Sequence, residues 1–183
     1  MLRHLLSVAA VIGALLTTSL RAQAVDVPVQ SNVASINPFG FVFAWYSAEY
    51  EHAFNATASW AVSAGYIGIG DEDNEKDFTS AELKFRYYPA AVAPSRFSVG
   101  ITTGYAGVTD EDVPEGGGPV EEKEYDALSL GFELGYSWLM GRTRQFYIGT
   151  SIGAKRLFLL GDNDEENETF GYPTIRLGIG YAF

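Results

Sequence analysis

From Thr57 to Phe183 the chain alternates apolar and small or polar positions with a period of two. Thr57 to Gly70 sets Trp60, Val62, Ala64 and Tyr66 against Ser59, Ala61, Ser63 and Gly65. Phe78 to Pro89 sets Ala81, Leu83, Phe85 and Tyr87 against Ser80, Glu82, Lys84 and Arg86. Arg96 to Val108 sets Phe97, Val99, Ile101 and Tyr105 against Ser98, Gly100, Thr102 and Gly104. The pattern recurs in Tyr125 to Leu139, Phe146 to Phe158 and Ile175 to Phe183. Successive side chains of a strand point to opposite faces, so each segment predicts a strand with one greasy face and one small, polar face. A helical period does not fit. Each segment is long enough for the ~9–11 residues that a tilted strand needs to cross a bilayer.

The breaks between these segments alternate in length. Asn55-Ala56, Ala90 to Ser95 and Gly141 to Arg144 are short; Asp71 to Asp77, Thr109 to Glu124 and Gly161 to Glu168 are acidic. Short turns on one side and longer loops on the other are the mark of an up-and-down membrane barrel. Val33 to Phe54 then supplies two more strands. Its apolar face is odd-numbered at first (Phe39, Phe41, Phe43, Trp45) and even-numbered later (Tyr46, Ala48, Tyr50, Phe54). That switch of parity predicts a turn near Ala44 to Tyr46 and a total of eight strands.

Composition narrows the class. Met1 to His4 is a short basic start, Leu5 to Leu20 is mostly apolar, and Ala22-Gln23-Ala24 is a small-x-small cleavage pattern. This predicts a signal peptide over 1–24, a short segment over 25–32 and a barrel domain over 33–183. Loss of Arg3 and Arg21 with that peptide takes the formal charge from −11 to −13. There is no cysteine, so disulfides do not hold the fold together. No stretch after the signal peptide is long and apolar enough for a membrane helix, which leaves a closed barrel as the only way to span a bilayer. Twenty glycines and 14% aromatic residues suit a narrow interior with aromatic girdles outside.

At Glu49-Tyr50-Glu51, Ser59-Trp60, Gly65-Tyr66 and Glu82-Leu83-Lys84-Phe85-Arg86-Tyr87-Tyr88-Pro89 the chain is similar to small bacterial outer-membrane β-barrel domains of the opacity and attachment type. The last strand, which ends on Tyr181-Ala182-Phe183, resembles the closing strand of such barrels. The resemblance covers roughly residues 33 to 183 and implies an all-β, antiparallel, eight-stranded transmembrane barrel in the outer membrane of a Gram-negative-type bacterium. It implies contact with outer-membrane lipids and lipopolysaccharide. It also implies recognition by the barrel-assembly machinery through Tyr181 and Phe183. It carries no catalytic residues, and fold alone assigns no activity.

The charges fall into two sets. Seventeen of the 23 acids lie in the three acidic breaks, as a solvated rim. Asp71-Glu72-Asp73 and Asp162 to Glu166 offer oxygen ligands suited to calcium but lack the glycine and spacing of an EF-hand, so no metal site is assigned. An acidic surface also argues against nucleic acid as a partner. The second set lies on the small faces: Glu49, Glu51, Glu82 and Glu133 with Lys84, Arg86, Lys155 and Arg176, and Arg96 near a strand end. An eight-stranded barrel is only wide enough for its own side chains, and charges buried there must be paired. The expectation is a lumen filled by an ion-pair network, with Arg176 pairing Glu49 or Glu51. A diffusion pore takes ~16–18 strands.

Enzyme chemistry finds little support. Acyl hydrolysis needs a nucleophile and a base. His52 is the only histidine after the signal peptide, and its parity turns it towards lipid near the short-turn end. The reading is therefore a monomeric, non-enzymatic, cofactor-free outer-membrane barrel with a structural or interaction role in envelope integrity, adhesion or partner binding. The alternatives are a lipid-modifying outer-membrane enzyme and a soluble periplasmic β-barrel holding an apolar ligand. A soluble barrel would bury its aromatic face and expose its charges.

Overall fold

The computed structural model describes residues 30–39, 44–71, 74–112, 121–160 and 170–183. The signal peptide expected over 1–24 lies outside them. Eight strands follow in chain order: β1 (Asn32–Ile36), β2 (Trp45–Asn55), β3 (Ala58–Asp71), β4 (Asn74–Tyr87), β5 (Arg96–Asp112), β6 (Glu121–Met140), β7 (Phe146–Leu160) and β8 (Phe170–Ala182). Each is antiparallel to the next, and β1 closes on β8. The closing register runs from Val33 opposite Ala182 to Ile36 opposite Ile179. Asn32 and Phe183 extend it by exchanging two backbone hydrogen bonds of 2.9 Å. Closure pairs the backbone groups that an open sheet edge would leave exposed.

The alternating pattern fixes which face points inward. Glu49, Glu51, Lys84, Arg86 and Glu133 are buried, whereas Ile101, Leu130, Phe132, Ile152 and Ile175 are 56–64% exposed. This is the reverse of a soluble protein's burial. The apolar residues that are buried inside are mostly small, including Ala53, Ala61, Ala106, Ala127 and Ala182. Two clusters fill the end that carries the short turns: Val33, Tyr147 and Ala182, and Ala53, Tyr88 and Ala93. That end is termed the turn end, and the other the acidic end.

Two expectations need correction. The first turn was expected near Ala44 to Tyr46, yet β1 ends at Ile36 and β2 begins at Trp45. The odd residues of β1 also face inward. Val33 and Ser35 are buried and Ala34 and Ile36 exposed, as on β2. Phe39 therefore lies past β1, while Phe41 and Phe43 fall outside the described residues. Trp45 sits on β2 with its side chain towards the lumen.

The first two acidic breaks are also shorter than expected. β3 and β4 pair as far as Asp71 opposite Asn74, leaving residues 72–73 outside the described set. β5 and β6 pair out to Asp112 opposite Glu121, leaving residues 113–120 outside the described set. Strand pairing is made by backbone groups, so charged side chains in water do not stop it. Polarity marks where the apolar band ends, not where the strands end. The third acidic break, Gly161 to Glu168, lies outside the described residues.

Candidate functional site

The eight lumen charges meet in one layer across the barrel. Arg86 on β4 is at its centre: Nε donates to Glu133 Oε1 at 2.6 Å, and Nη1 donates to Glu49 Oε1 at 2.9 Å and Glu51 Oε2 at 2.6 Å. Glu49 also holds Lys84 Nζ at 2.7 Å and Arg176 Nη2 at 2.8 Å. Lys84 Nζ is 3.6 Å from Glu82 and 4.0 Å from Glu133. Lys155 pairs with Glu82 from β7. Four acids and four bases are thus engaged, and their formal charges cancel.

The register explains how strands that are not neighbours come within reach. Across the sheet, Ala61 sits between Glu51 and Lys84, and Ser63 between Glu49 and Glu82. Gly100 sits between Arg86 and Glu133. A Cβ on Gly100 would lie 3.1 Å from Glu133 Cγ and 3.2 Å from Arg86 Cγ. One on Gly131 would lie 2.6 Å from Lys155 Cγ. Small residues on the intervening strands leave the space through which long charged side chains cross. A buried charge needs this, because desolvation outweighs attraction unless the pairing geometry is close.

Neutral groups complete the layer. Ser59 Oγ donates to Glu51 at 2.6 Å, Tyr88 donates to the same carboxylate, and Arg176 donates to Ser35 Oγ at 3.0 Å. Sequence reasoning missed Tyr88. It lies one residue beyond β4 and shares the inward, even parity of Lys84 and Arg86, so the same alternation was the signal that could have found it. Arg86 Nη2, Thr102 Oγ1 and Ser129 Oγ are buried without a hydrogen bond among the described residues. Arg96, expected near an end, opens β5 with an exposed side chain.

The lumen is unequal on the two sides of this layer. Towards the turn end, a void of only about 10 Å³ lies among Arg86, Tyr88, Tyr147 and Arg176. Towards the acidic end, a cavity of about 310 Å³ opens above Glu82, Lys84 and Lys155.

The outer face carries a repeated arrangement that sequence reasoning also missed. Tyr66 Oη donates to Asp77 Oδ1 at 2.7 Å, and Tyr105 donates to Asp126 in the same way. In each case the aspartate is opposite a glycine two residues beyond the tyrosine, Gly68 or Gly107. The ring lies over the glycine to reach the carboxylate. Its signal in sequence is Tyr-x-Gly, legible only once the strand register is known.

His52 faces outward near the turn end. Its Nδ1 is 2.9 Å from Asn32 Oδ1, which also accepts a hydrogen bond from Tyr50 at 2.7 Å. Its ring lies 5.8 Å from that of Trp60. Among the described residues no group of three or more histidine or carboxylate side chains is arranged to hold a metal ion. Tyr181 and Phe183 are exposed, with ring centroids 6.3 Å apart.

No family model matches this chain, and comparison with curated proteins gives no match. Among solved structures, the chain is similar to the crystal structure of the N-terminal β-barrel domain of Pseudomonas aeruginosa OprF. The identity is 17% and the TM-score 0.49, over 84% of this chain and 98% of that one. The eight-stranded closure of the present chain rests on its own strand register.

Proposed function

We propose that this chain is a structural barrel of a bacterial outer membrane, monomeric and without catalytic activity, whose ion-paired lumen blocks passage while its acidic end faces outward. The observation that carries the reading is the reversal of burial. A belt of exposed Leu, Ile, Val and aromatic side chains surrounds a charged interior. Such a belt is a liability in water and an anchor in lipid. The eight-residue network supports a blocked lumen, because its charges cancel and the intervening space is filled. Contacts with lipopolysaccharide and external partners belong to the acidic end. Recognition by the assembly machinery belongs to the closing strand, with Tyr181 and Phe183. A lipid-modifying activity would need a base beside a nucleophile, and the ring of His52 packs instead with Asn32 and Trp60.

The test is membrane fractionation with heat-modifiable gel migration. The expected result is a salt-resistant membrane protein that migrates anomalously unless boiled. Recovery wholly in the soluble periplasmic fraction would overturn the reading. Lipid A compared by mass with and without the protein should show the same acylation; a change would overturn the non-enzymatic part.

A further inference from the structure

We propose that the 310 Å³ cavity above the ion-pair layer is a binding site for a small uncharged polyhydroxyl compound, of monosaccharide size. This goes beyond a structural role, and it depends on the barrel interior rather than on the membrane in which the barrel sits.

Three observations define the ligand class. The first is size: about 310 Å³ is at the lower end of the ~300–1,000 Å³ range of small-molecule pockets. The second is the wall. Trp45, Phe78 and Tyr172 offer ring faces, and Ser47, Ser80 and Thr174 offer hydroxyls, all lining the same space. A sugar ring has the matching character: C–H faces that pack on aromatic rings, and hydroxyls that both donate and accept.

The third is the floor. Glu82 is taken by Lys155, and Glu49 by Lys84, Arg86 and Arg176. With no surplus charge beneath it, a net anion or cation entering the cavity would lose its hydration without a counter-charge. An uncharged polar ligand has no such cost. It can still accept hydrogen bonds from Lys155, whose ammonium has three donors and one carboxylate partner among the described residues.

Trp45 provides the reporter, since Trp60 and Trp138 lie on the outer face. The experiment uses the folded barrel in detergent micelles, with Trp60→Phe and Trp138→Phe so that emission comes from Trp45. Titration with D-glucose should give a saturable change. Ser80→Phe, which fills the cavity, should weaken the response at least tenfold. Ser98→Ala, at the turn end, should leave it within twofold. Heat-modifiable migration establishes that each variant is folded; if Ser80→Phe does not fold, Thr174→Phe fills the same space. No saturable change in the folded barrel would overturn the proposal. So would a response that survives the filling variants. Tighter binding of glycine betaine or gluconate than of glucose would overturn the assigned ligand class.

Discussion

Arg86 and Glu133 meet across Gly100, with Nε 2.6 Å from the carboxylate, although β5 lies between their strands. The same guanidinium holds Glu49 and Glu51, so a single side chain ties three acids together.

Removing that side chain should be costly. Arg86→Met leaves Glu51 and Glu133 without their closest cation, and loss of one partner from a buried pair costs about 3–5 kcal/mol. Urea unfolding of the micelle-folded barrel should show a loss of that order. Arg86→Met combined with Glu133→Gln should recover part of it, because one stranded charge is then removed. An unchanged midpoint for Arg86→Met would show that the layer does not stabilise the barrel.

The space above Gly131 is a second test. A Cβ there would lie 2.5 Å from the Ala154 carbonyl oxygen and 2.6 Å from Lys155 Cγ. Gly131→Val should destabilise by about 1–3 kcal/mol, the usual cost of overpacking. The measurement is the temperature at which the compact gel band is lost. A wild-type temperature would mean that the β7 backbone at Ala154 and the Lys155 side chain both give way freely.

The outer belt makes a third prediction. Phe132 is 56% exposed, in the middle of the apolar stripe of β6. If that stripe faces lipid, Phe132→Arg should cost about 2–4 kcal/mol. In a water-soluble barrel the same surface change would be close to neutral. Unfolding of both proteins from lipid vesicles, followed by tryptophan emission, separates the two cases.

The closing strand makes the fourth. Tyr181→Ala and Phe183→Ala leave the backbone exchange between Asn32 and Phe183 in place. Refolding of the purified chain in detergent should therefore stay near wild type, while the amount assembled in cell membranes falls severalfold. Equal loss in both settings would assign the two rings to stability rather than assembly.

Much of this was legible in sequence because one rule governs it. On β3 to β8, alternation alone separated Leu83 and Phe85 from Lys84 and Arg86, and the inward charges followed. The rule failed where side-chain character and backbone pairing part company. Phe39 and Trp45 read as one greasy face, but they belong to a connection and to the inward side of β2. Asp110 to Asp112 read as loop, but they pair with β6. The Tyr66–Asp77 contact depends on strand register, which no local pattern encodes, whereas Tyr88 shares the inward parity of Lys84 and Arg86 and is hidden only by its aromatic character.

The difference between the two sides of the ion-pair layer has a consequence for the cell that carries this protein. A wall built from open tubes grows leakier with every copy added. Here Val33, Tyr88, Tyr147 and Ala182 pack beneath the charges, so in the membrane role proposed above copy number would be uncoupled from permeability. A barrel in that role could be laid down densely, as paving, without adding a route for antibiotics or nutrients.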